Sequence, residues 1–138
     1  MRVFERGFEV RTEARRPTTI SREVEEVVRA AGVRAGLCTI FVQHTSASLL
    51  VQENADPAVM RDLVSWLADL APESRPWEHD DEGPDDMPGH AKAAVLRTAE
   101  TVPISGGRLV LGTWQGIYVL EHRAKSHARK IHVTIVGE

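Results

Sequence analysis

Apolar and polar residues alternate from Val3 to Thr12. Phe4, Phe8 and Val10 fall on one face and Glu5, Glu9 and Arg11 on the other, the period of a half-buried strand. The period then lengthens. Ile20, Val24, Val27, Val28 and Ala31 recur at helical spacing behind three candidate caps, Thr18, Thr19 and Ser21, and Gly32 suits the stop. Leu37 to Gln43 is rich in strand formers and runs into His44-Thr45-Ser46-Ala47-Ser48, with a further strand expected at Leu49, Leu50 and Val51. Asn54-Ala55-Asp56-Pro57 predicts a helix start, Asp56 as N-cap and Pro57 in the first position. Its apolar stripe is Val59, Met60, Leu63, Val64, Leu67 and Leu70. Residues 72–88 hold four of the seven prolines and much of the acid, which predicts a long loop of the kind that usually carries function. A short helix near Pro88 carries His90. Thr101–Ile104, Gly106-Gly107 and Arg108–Leu111 read as a hairpin, and Gly116–His122 and Ile131–Val136 as two more strands. A mixed first half and a mainly β second half give one α+β domain spanning residues 1–138.

The bulk numbers narrow the function. With 42% hydrophobic and 27% charged residues over 138 positions, the chain can build a core. A formal net charge of -3 argues against a phosphate-driven nucleic-acid binder. Cys38 is the one cysteine, so neither an internal disulfide nor a cysteine zinc site is available, and a reducing cytoplasm is the expected location. No apolar run approaches a membrane span of about 20 residues, and the first residues lack a signal-peptide core.

Six histidines are many for this length. His44 ends a buried-strand pattern beside three hydroxyl residues. Asp86 precedes His90 by four positions, a separation at which its carboxylate can orient the ring or share an ion. His79 lies upstream in the acidic loop. His127 and His132 fit outward positions and stay outside the site. The acidic run Glu78–Asp86 lacks the ligand spacing of a calcium loop. Glu121 and His122 alternate, so only one of them can face a given pocket unless a bulge intervenes. The basic run His122–Lys130 reads as a solvated connection.

Five motifs occur in order: His44-Thr45-Ser46-Ala47-Ser48-Leu49, Glu53-Asn54-Ala55-Asp56-Pro57, Gly83-Pro84-Asp85-Asp86-Met87-Pro88-Gly89-His90, Leu111-Gly112-Thr113-Trp114-Gln115-Gly116-Ile117-Tyr118 and Glu121-His122-Arg123. Together they resemble the YjbQ-like family of secondary thiamine-phosphate synthases. The resemblance covers essentially the whole chain. It implies a twisted, largely antiparallel sheet packed with two to three helices, and a homotrimer or hexamer. It also implies a site in which His44, His79 and His90 hold a divalent metal, zinc or magnesium, with Asp86 and Glu121 as base or metal ligand. Thr45, Ser46, Ser48, Asn54, Gln115 and Arg123 would hold a small phosphorylated metabolite, and the implied reaction joins a pyrimidine diphosphate to a thiazole phosphate with loss of pyrophosphate. A metal-dependent hydrolase and a non-catalytic binding trimer are the alternatives. Where the family typically has alanine before the helix histidine, this chain has Gly89.

Overall fold

A computed structural model describes residues 1–138. The alternation at the start becomes β1 (Arg2–Arg11), followed by β2 (Pro17–Thr19), α1 (Ser21–Ala31), β3 (Gly36–Val42), β4 (Ala47–Glu53), α2 (Pro57–Leu70), α3 (Asp86–Val95), β5 (Ala99–Ser105), β6 (Arg108–Leu109), β7 (Gln115–Glu121) and β8 (Ala128–Gly137). The strands form two sheets. One has the order β1-β8-β3-β5-β6 and the other β2-β7-β4, and every pairing is antiparallel. The expected sheet is therefore split in two, which lets each half bury a face on the other.

Local chemistry explains most boundaries. Gly32 closes α1 in the left-handed region at φ 63. The start of α1 differs from the sequence reading. Thr18 and Thr19 join β2 rather than capping, and Ile20 stands at the N-cap without a side-chain bond. The Ser21 hydroxyl instead accepts the Ile117 amide at 2.9 Å, tying the helix to β7. Asp56 caps α2 as its motif predicts, accepting the Ala58 amide at 2.9 Å. Gly36 and Gly137 pair so closely that a Cβ on either would strike the neighbouring backbone.

The core lies between the sheets and under α1. Val24, Val27 and Val28 meet Ile40, Leu49, Ile117, Val119, Ile131, Val133 and Ile135, nearly all fully buried. The opposite face of β7, with Leu120 and His122, is buried as well, beside Val64 and Leu67 of α2. Both faces of β7 are thus covered, which is why its pattern reads apolar throughout. The strand's end delivers Glu121, His122 and Arg123 to the region where α3 and the loop before it arrive. No helix is long and apolar enough to cross a membrane.

Candidate metal centre

Asp86 and His90 stand one turn apart on α3, and the loop before that helix folds back to bring His79 to them. His79 Nε2 lies 2.8 Å from Asp86 Oδ2 and His90 Nε2 lies 3.3 Å from the same oxygen. The two rings meet edge to face, 5.6 Å between centroids. One ligand atom from each of the three residues lies within 4.8 Å of the others. Asp86 is 4% exposed, whereas His79 is exposed and His90 half-buried, so the group has a buried wall and an open side.

Arg123 sets this arrangement. Its Nη1 lies 2.9 Å from Asp86 Oδ1, leaving Oδ2 for the histidines. Its Nε donates to Asp85 Oδ2 at 2.9 Å and its Nη2 to the Glu82 carbonyl at 3.0 Å. The Ala124 amide also donates to Asp85, at 2.7 Å. One guanidinium thus fastens the loop at Glu82, Asp85 and Asp86, in place of the substrate contact that the family resemblance implies for Arg123. Burial alone would raise the Asp85 carboxyl, but Arg123 and the backbone amides bring it down to about 2. Asp86 is likewise raised by burial and lowered more by the His79 hydrogen bond and the Arg123 charge, so it stays ionised. The same hydrogen bond raises His79, chiefly, with Asp81 and Glu82 adding to it. Two imidazoles and a carboxylate with one side open are the donor set of a three-ligand zinc site. Magnesium, which prefers oxygen ligands, fits it less well.

His44 stands outside this group. Its Nε2 accepts the Lys130 amide at 2.8 Å. A backbone N–H can only donate, so Nε2 carries the lone pair and Nδ1 the proton. His44 therefore presents a donor, and the reading that it shares a metal with His79 and His90 does not match this geometry. Burial first and then Arg129 lower its basicity, consistent with a neutral ring. His44 and His90 do line one depression of about 640 Å³, with Thr45 and Thr98 at its edge.

The remaining candidates separate by burial. Thr45 is exposed beside His44, whereas Ser46 and Ser48 are buried. Ser48 Oγ lies 2.8 Å from His122 Nε2, and burial pushes His122 down to about 4, with Lys92 adding to it. Asn54 and Gln115 sit at the far end of the β4–β7 ladder, since Glu53 pairs with Gln115 and Ala47 with Glu121. There the Asn54 amide donates to the Thr113 carbonyl at 3.2 Å, and Gln115 Oε1 accepts the Gly112 amide at 2.8 Å. Both side chains brace a loop well away from the histidines.

Glu121 corrects another expectation. It is 1% exposed and faces the space between the sheets. Its carboxylate accepts from the Thr12 hydroxyl at 2.6 Å, from Arg129 Nε at 2.8 Å, from Arg129 Nη2, and from the Arg123 amide at 3.0 Å. Burial raises this carboxyl, but the bonds from Arg129, Thr12 and Arg123 together hold it below the usual range. With its acceptor sites filled, it is a structural anion rather than a base or metal ligand. Arg129 and Thr12 were not singled out as sequence candidates. The signal for Arg129 was present: it alternates with Ile131, Val133 and Ile135 on the inward face of β8, and a buried arginine requires a partner.

Comparison with known proteins agrees with this architecture. The sequence model of the UPF0047 protein YjbQ-like family matches residues 6–138. A UPF0047 protein of Synechocystis is 47% identical over 130 residues, covering 94% of this chain and 88% of that one. YjbQ of Escherichia coli O157:H7 is 44% identical over 106 residues, 77% of each chain. Among solved structures, a YbjQ-like protein of unknown function from Sulfolobus solfataricus superposes with a TM-score of 0.87 at 28% identity, covering 99% of this chain and 100% of that one. A conserved hypothetical protein from Thermus thermophilus gives 0.82 at 35% identity, covering 94% and 98%.

Proposed function

The chain belongs to the YjbQ-like UPF0047 family, and from that premise we propose that it is a metal-assisted enzyme acting on a small phosphorylated substrate, with thiamine-phosphate synthesis as a secondary activity. The observation that carries this reading is the convergence of His79, Asp86 and His90 on one point with an open side. His79, Asp86 and His90 would hold a divalent ion there, zinc in preference to magnesium, and that ion would supply Lewis-acid stabilisation to a departing pyrophosphate. Arg123 fixes Asp86 so that one oxygen faces both imidazoles, the role an outer partner plays at a metal ligand. The His44–His90 depression is the place for the substrate, with the His44 N–H and the Thr45 hydroxyl as oxygen-binding groups. The open side also suits activated water, so hydrolysis of a phosphate ester is the second reading.

A homotrimer is part of the same proposal. Val95 and Val110 are 61% and 55% exposed along one groove, apolar surface of the kind a subunit contact covers. The lone, fully buried Cys38, whose thiol burial pushes up to about 11, suits a reducing cytoplasm.

The test is elemental analysis of purified protein, wild type beside His90→Ala, followed by pyrophosphate and phosphate release with and without the ion. Stoichiometric zinc lost in the variant supports the centre. Absence of any ion after reconstitution overturns it. A non-catalytic binding trimer would hold the ion, with all positions filled by protein, and release neither product.

A further inference from the structure

Helix α2 carries two apolar faces, and the fold uses one of them. Met60 and Leu67 share the face that packs inward, where they are 6% and 2% exposed. Val59, Leu63, Trp66 and Leu70 form a second stripe, within about 60° of arc and about 80° around the helix from the first. Val59 and Leu63 are half-buried, and Trp66 and Leu70 are 57% and 54% exposed. None of the four lines the groove given above to subunit contact.

The spacing of this stripe says what shape fits it. Its steps of four, three and four residues are those of a coiled-coil seam, in which one helix receives the side chains of another. The seam runs for about 17 Å along the axis. Trp66 near its middle is a large side chain of the kind that dominates binding energy at interfaces.

The charge beside the stripe narrows the partner. Asp62 and Asp69 flank it on the side away from the core, about 80° off the seam at 3.6 residues per turn, and both are exposed. Every arginine–carboxylate pair in the chain uses another acid: Glu13, Glu73, Asp85, Asp86, Glu100 or Glu121. The last turn of α2 has no basic residue, so the negative end of the helix dipole adds to Asp69. Two uncompensated anions thus border the seam at heptad spacing.

A second copy matches this poorly. In an antiparallel pairing of α2 with itself, Asp62 would meet the partner's Asp69, and like charges placed together oppose association. In a parallel pairing the opposing flank is Met60 and Leu67, which are buried in their own core. An anionic membrane matches poorly as well, since helices that lie on one carry basic flanks.

We propose that α2 docks an amphipathic helix of another protein, one with aliphatic side chains in a matching seam and lysine or arginine on the flank that meets Asp62 and Asp69. The apolar seam supplies affinity, and the charges set specificity and orientation. The surface is separate from the His79–Asp86–His90 group and does not depend on it.

The test is fluorescence anisotropy of two labelled helical peptides titrated with the full chain at low salt. Both carry leucine at the seam positions; one has lysine on the flanks and the other glutamate. The lysine peptide should bind about tenfold more tightly, and the margin should shrink at high salt. Trp66→Ser should weaken it about tenfold, the scale of an interface anchor. Asp62→Lys with Asp69→Lys should reverse the preference. Both of those positions are exposed, so this variant decides if Trp66→Ser shifts the unfolding midpoint. His90→Ala should change nothing. Failure of the lysine peptide to bind, equal binding of the two peptides, binding indifferent to the substitutions on α2, or binding lost in His90→Ala would each overturn the proposal. So would sedimentation showing that Trp66→Ser dissolves an oligomer, which would give the stripe to a second copy, or displacement of the peptide by phosphatidylglycerol vesicles, which would give it to a membrane.

Discussion

Replacing Arg129 by methionine tests the claim that Glu121 is a structural anion. The substitution keeps an unbranched apolar stem and removes the guanidinium that makes two of the four bonds to the carboxylate. It also takes donors from the Ser46 hydroxyl and carbonyl, 3.1 and 3.2 Å away. Glu121 at 1% exposure would keep only the Thr12 hydroxyl and the Arg123 amide. Breaking a buried ion pair from one side costs about 3–5 kcal/mol, a large share of the roughly 5–15 kcal/mol that holds a domain together. Urea unfolding followed by tryptophan fluorescence reads this directly. Arg129→Met should lose about 4 kcal/mol, and the deficit should shrink as pH falls and the stranded carboxyl takes a proton. The double variant Glu121→Leu with Arg129→Met should recover at least half of the loss, since the unpaired charge is gone and two donors are left. A single variant within about 1 kcal/mol of wild type, the scale of an ordinary surface change, would refute the reasoning and reopen Glu121 as a residue with spare valence.

Two further outcomes follow from the geometry around α3. Gly89→Ala should stabilise the protein by about 1 kcal/mol, the propensity difference within a helix, because the new Cβ meets His122, Ser46 and Arg123 atoms at 3.5–3.7 Å, ordinary contact distances; a lower melting temperature would contradict this. His122 is buried with its folded value near 4 against an ordinary 6.5, so the unfolded chain binds the extra proton between those values. Stability is complete above pH 6.5 and falls as pH drops toward 4, by about 3 kcal/mol from this group. His122→Asn should flatten that part of the profile, and an unchanged slope would count against the assignment.

The strands and helices were legible because their periods are clean. The turn Gly106-Gly107, the cap Asp56-Pro57 and the stop at Gly32 each have a single backbone use. Thr18 and Thr19 misled because a threonine before an apolar run suits a cap and an edge strand equally, and pairing with β7 decided it. At the site, Asp86 and His90 were readable from their four-residue separation, and His79 from its place in the acidic loop just upstream, although α3 begins at Asp86 rather than near Pro88. What could not be read was allocation. His44 looks like a ligand until the Lys130 amide takes its lone pair, and Arg123 looks like a substrate clamp until it is seen to hold Asp85 and Asp86. A polar residue's role depends on which partner reaches it first in three dimensions, and those partners lie 38 and 86 positions away.

The order β1-β8-β3 also bears on how the chain comes into being. β1 is made first, yet its ladder partner is β8, and β8 also separates it from β3. During synthesis β1 and the inner edge of β3 wait with open backbone groups until β8 leaves the ribosome. Only then can the larger sheet close, and Arg129, carried on β8, reaches Glu121 in the same event. The smaller sheet is free of this constraint, since β2, β4 and β7 all precede β8. Assembly should therefore run from the smaller sheet to the larger, with the long-range closure as the slow step. The charges spaced along β1, from Arg2 through Glu5, Arg6 and Glu9 to Arg11, suit a strand that must wait with an open edge, because charge on an edge disfavours pairing with another chain.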